Sequence, residues 1–96
     1  MPDKLISGLK PGQRRDEADR QVSSALASSA LEGILEVTWA PSTFDKPRTQ
    51  RFRVHGTSRP LDGNGRDSLV VSAPEDLEWL TIGLHRVDRI VPVVTP

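Results

Sequence analysis

Arg51, Arg53 and His55 alternate with Phe52 and Val54 along one short stretch of the chain. In an extended strand such alternation sends the two sets to opposite faces. Neighbours on one face then lie about 7 Å apart, twice the rise per residue, a spacing similar to that of phosphates along a nucleic-acid strand. Guanidinium groups are suited to bidentate contacts with phosphate or carboxylate. Arg48 just upstream, and Arg86 and Arg89 near the end of the sequence, extend this set of candidate anion-binding residues. Two other readings stand beside it. The arginines pair with Glu36 on a neighbouring strand or simply face water, or they belong to a protein interface. Single-strand binders also need exposed rings for bases to stack on. The aromatic residues are Trp39, Phe44, Phe52 and Trp79. Trp39 and Phe52 read as core, which leaves Phe44 in a loop and Trp79 for such a role.

Other chemistries find little support in the sequence. It contains no Cys, so a disulfide framework, a thiolate zinc site and a cysteine nucleophile are excluded. No phosphate-cradling Gly-rich loop ending in Lys-Ser/Thr, no G-x-S-x-G elbow and no H-E-x-x-H is present. His55 and His85 are the only histidines, and neither has a close metal-ligand spacing to Asp67 or Asp88. The expectation is therefore a protein that is not an enzyme and that carries no cofactor and no metal. No apolar run reaches the roughly 20 residues of a spanning helix, and there is no signal-peptide core. This predicts a cytoplasmic protein without a membrane partner. The 96 residues allow one small domain. They carry 13 Lys and Arg against 13 Asp and Glu, which argues against a surface built wholly for nucleic acid but leaves room for a local patch. Residues 33–66 hold Lys46, Arg48, Arg51, Arg53, Arg59 and Arg66 against Glu36, Asp45 and Asp62, whereas residues 67–96 are acidic in excess.

The elements that must position these residues follow from periodicity. Residues 1–12 read as a flexible N-terminal arm, with Leu5, Ile6 and Leu9 as an apolar cluster and Pro11-Gly12 as a break. Residues 13–96 read as a single domain. A helix is predicted over 13–32, with Ala18, Val22, Ala25, Leu26 and Ser29 on one face and Gly33 as its C-terminal stop. From Ile34 the period changes to 2. Strands are expected at about 34–40, 49–56, 68–73, 77–85 and 90–94. The turn dipeptides Asp62-Gly63 and Asn64-Gly65 lie in the long loop between the second and third, Arg86-Val87-Asp88-Arg89 forms a tight connection, and Pro92 marks a sheet edge or a bulge. Five short antiparallel strands make too thin a sandwich but can curl on themselves. The expected fold is mainly β, a small five-stranded SH3-like or Sm-like barrel preceded by one N-terminal α-helix.

The segment Arg86-Val87-Asp88-Arg89-Ile90, followed by Val91, resembles the Arg-Leu-Asp-Arg-Ile ending typical of WYL domains. The helix leading into Leu35-Glu36-Val37-Thr38-Trp39, the strand Arg51-Phe52-Arg53-Val54 and the Pro60-Leu61 loop are compatible with that pattern. Ser68-Leu69-Val70 stands where the family carries Trp-Tyr-Leu. The resemblance covers about residues 22–94. It implies an Sm-like barrel of the kind found in bacterial transcription regulators, sensing a ligand or nucleic acid through basic side chains, here Arg86 and Arg89. Taken together, the expected function is that of a non-catalytic regulatory module holding nucleic acid or another anionic ligand on a basic strand face. The alternative is an assembly subunit that forms homo-oligomers or meets a protein partner through barrel edges and the N-terminal segment.

Overall fold

The computed structural model describes residues 5–58 and 67–95. The expected Asp62-Gly63 and Asn64-Gly65 turns and the Pro60-Leu61 loop lie outside the described residues. A 3-10 turn at Ile6–Gly8 leads into helix α1 (Pro11–Ser28). Strands β1 (Ile34–Trp39), β2 (Arg48–Ser58), β3 (Ser68–Ser72), β4 (Trp79–Gly83) and β5 (Val87–Pro92) follow, with a second 3-10 turn at Leu84–Arg86. They form one antiparallel sheet in the order β4-β3-β2-β1-β5. The fold is thus mainly β with one helix. Its ladder is open, since no pairing joins β4 to β5 among the described residues. None of the described helices is long and apolar enough to cross a membrane.

The core lies on one face of the sheet, beneath α1. Leu35, Val37, Phe52, Leu69, Val71, Ile82 and Ile90 are buried there, as period-2 alternation requires. The helix adds Ala18, Val22 and Ala25, small side chains that let it sit close to the strands.

The helix runs two residues earlier and ends four residues sooner than its sequence pattern suggests. Pro11, read as part of a break, occupies the first turn, where its missing N–H costs nothing and its fixed φ suits the helix. At the other end Ser29 leaves the helical path with ψ of 138°. Its hydroxyl donates to Ile34 O at 2.7 Å and accepts from Val93 N at 3.0 Å. Gly33 is therefore not the helix stop. With φ of 76° it makes the turn into β1, a conformation glycine adopts without steric cost. Leu26, expected on the buried stripe, is 42% exposed. The residue that is buried instead is Gln21.

Two further boundaries differ from the alternation pattern. Leu84 to Arg86 coil into a 3-10 turn instead of prolonging β4. Val87, Asp88 and Arg89, expected as a connection, belong to β5, which ends at Pro92. The N-terminal segment also differs from a free arm. Ile6 is fully buried, and Ser7 Oγ donates to Asp88 Oδ1 at 2.6 Å.

On the side of β5 that faces away from β1, α1 and the segment after it take up backbone groups of Ile90 and Val93. Gln21 Oε1 accepts from Ile90 N at 2.8 Å, and Ala30 N donates to Val93 O at 2.7 Å. A buried N–H without an acceptor costs about 1–3 kcal/mol. Gln21→Met keeps the length of the side chain and removes the carbonyl. It is expected to lower stability by about that amount in urea denaturation, with an unchanged m-value.

Candidate functional site

Register assigns each basic residue to a face. Arg53 lies opposite Ile34 and Ser72, Arg51 opposite Glu36, and Thr49 opposite Thr38, which is in turn opposite Arg89. Directly opposed residues in an antiparallel pair share a face. Arg51, Arg53 and Arg89 therefore stand together on the outer face of the sheet, away from α1, and all three are exposed. The Thr38 and Thr49 hydroxyls, hydrogen-bonded at 2.9 Å, lie on the same face beside Arg89. Glu36 is the one carboxylate in these rows.

The arginines are held in different ways. Arg51 is opposite Glu36, but its Nη2 donates to Thr95 O at 3.1 Å. It uses one of five donors there, and the rest of the fork faces solvent. Arg53 crosses the turn into β1, so that a Cβ on Gly33 would stand 3.3 Å from its Nη1. The exposed guanidinium can give by a few tenths of an ångström, so it is the positive φ that calls for glycine at position 33.

His55 reaches this face through a bulge. Val54 pairs with Val71 but Gly56 pairs with Val70, so His55 is the extra residue. Gly56 follows with φ of 136°, a value L side chains rarely adopt. Bulges re-aim side chains, and here the imidazole comes over β3, with Nε2 hydrogen-bonded to Ser72 Oγ at 2.9 Å. It then stacks on Trp79, at a centroid separation of 3.9 Å and an interplanar angle of 15°. Trp79 remains 63% exposed. Alternation marks Trp79 as outward-facing, but nothing in the sequence signals its pairing with His55. That pairing depends on the bulge and on the Ser72–Trp79 register.

The remaining candidates lie elsewhere. Arg48 is opposite Trp39, hence on the other face, where the Trp39 and Phe52 rings approach to 6.1 Å and Trp39 Nε1 donates to Gln50 Oε1. Arg86 sits in the turn before β5 and donates to Pro41 O at 2.6 Å, where it anchors the β1–β2 connection. Of the two arginines in the WYL-like segment, only Arg89 joins the outer face. Phe44 is 97% exposed in the loop after β1. Among the described residues no group of three or more His, Cys, Asp or Glu converges as a metal site would require.

The outer face thus combines three guanidinium groups, two hydroxyls and a stacked imidazole–indole pair. The cations can meet the phosphates of an extended polyanion, and the indole offers a flat surface to a base. Comparison with protein-family models, curated proteins and solved structures yields no match to this chain.

Proposed function

We propose that this protein is a non-catalytic binding module for single-stranded nucleic acid, and that it takes the strand across the outer face of the sheet. The observation that carries the reading is that exposed Trp79, stacked on His55, shares the outer face of the sheet with the exposed side chains of Arg53, Arg51 and Arg89. Base–aromatic stacking contributes about 1–3 kcal/mol per base, and the arginines add a salt-dependent attraction to phosphate. Arg48 and Arg86 stand outside the site in this reading.

The strand order, with β1 between β2 and β5 and a 3-10 turn before β5, supports reading the sheet as a strongly bent SH3-like or Sm-like barrel left open between β4 and β5. A regulatory role of the WYL type is compatible with it, with Arg89 as the residue common to that resemblance and to the proposed track.

The test is a titration with a short single-stranded oligonucleotide, read by tryptophan fluorescence. Trp79 emission is expected to be quenched on binding. Three phosphate contacts on a single strand give a salt slope of about −2, so affinity should fall about twentyfold between 50 and 200 mM salt. No binding at the lower salt, or binding that ignores salt, would overturn the reading.

A further inference from the structure

Glu36 stands on the outer face among cations that do not hold it. It is half-buried in β1, with Arg51 opposite on β2 and Val91 opposite on β5. Ile34 and Thr38 flank it on the same face, two residues away along the strand. Arg51, the cation that register places beside it, turns Nη2 to Thr95 O instead. Among the described residues Glu36 forms neither a hydrogen bond nor an ion pair. Both of its oxygens are therefore open, and an ionised carboxylate accepts hydrogen bonds only. A negative charge between the β2 arginines and Arg89 works against binding of a phosphate backbone. Its chemistry suits hydrogen-bond donors, which a nucleic-acid strand carries on its bases.

We propose, resting on the single-strand reading of this face, that Glu36 is its specificity-determining residue and selects guanine. Unpaired strands leave the pairing edges of their bases free to be read. Guanine presents N1–H and the N2 amino group side by side, two donors for two carboxylate oxygens. Cytosine and adenine each offer one amino group beside a ring nitrogen that accepts. Thymine and uracil set a carbonyl on either side of their single N–H, and these oxygens would face the carboxylate. Next to its two donors guanine carries O6, an acceptor. The Thr38 and Thr49 hydroxyls share one hydrogen at 2.9 Å, which leaves the second hydroxyl hydrogen for O6. Arg51 and Arg53 stay with the phosphates. Trp79 serves a different nucleotide, because β4 and β1 are three strand spacings apart in the sheet, about 14 Å.

The experiment is fluorescence anisotropy of short end-labelled DNA strands with the full chain at about 50 mM salt, where backbone attraction is strong. Three strands are compared: all thymine, and the same sequence with one central guanine or one central cytosine. The guanine strand is expected to bind about tenfold tighter than the all-thymine strand, within the discrimination that a bidentate base contact gives. The cytosine strand should fall between them. Glu36→Gln keeps the shape of the side chain but offers one acceptor and one donor in place of two acceptors. It has no partner to lose, so circular dichroism should match the parent. It is expected to abolish the guanine preference and to raise affinity for the all-thymine strand about twofold, since a negative charge leaves the basic face. Binding without a guanine preference, a preference for cytosine, or a guanine preference that survives Glu36→Gln overturns this proposal and leaves the single-strand reading standing. Failure to bind any of the three strands overturns both.

Discussion

Ile6→Ala is expected to destabilise the domain by about 2–5 kcal/mol, the range for removing a buried aliphatic side chain. Ile6 is fully buried although it lies in a 3-10 turn ahead of the helix. Its neighbour Leu5 is 45% exposed, so Leu5→Ala is expected to cost much less and serves as the control. For a chain of this size, total stability is of the order of 5–15 kcal/mol. Losing about 3 of these should lower Tm by roughly 12–24 °C. Thermal unfolding followed by circular dichroism reads both variants. Equal, small effects from the two would mean that the N-terminal segment adds nothing to the core.

The largest expected effect on binding comes from Arg51→Glu combined with Arg53→Glu. Both side chains are exposed, and neither forms an ion pair with Glu36 that would have to be broken. Arg51→Glu sets a carboxylate opposite Glu36 and gives up the bond to Thr95 O, so stability should fall by about 1 kcal/mol while the fold is kept, which circular dichroism checks. Single-stranded oligonucleotide affinity should fall about 100-fold or more at 50 mM salt, because two attractive phosphate contacts become two repulsive ones. Arg48→Glu, on the other face, is the matched control and should change affinity only a few-fold through the overall field. If Arg48→Glu weakened binding as much as the double variant, the nucleic acid would not be using the outer face.

The strands were the readily legible part of this sequence. Leu35 and Val37 against Glu36 and Thr38, and Phe52 against Arg51 and Arg53, assign inner and outer faces from period 2 alone. Three features escaped that logic for physical reasons. Gln21 is polar and carries no hydropathy signal, yet it is buried because the N–H of Ile90 requires an acceptor, a need that arises only once α1 lies on the β5 edge. Leu26 looks like a core residue but turns out towards water, since the helix packs through its smaller side chains. Ile6 belongs to a segment too short to show any period. At the site, the common face of Arg51 and Arg53 was readable from spacing. The stacking of His55 on Trp79 was not, because it needs an extra residue in β2 and a register between distant strands.

The hydrogen bonds that Gln21, Ser29 and Ala30 make to β5 also bear on how the protein behaves at high concentration. A sheet that can be extended at both ends can add molecules without limit, as fibrils do. Here Ile90 and Val93 at one end are already bonded to Gln21, Ser29 and Ala30, so among the described residues the open edge is the one at β4. Addition at the β4 edge alone would stop after one step, and loss of the contacts at β5 would expose a second edge from which a polymer could grow.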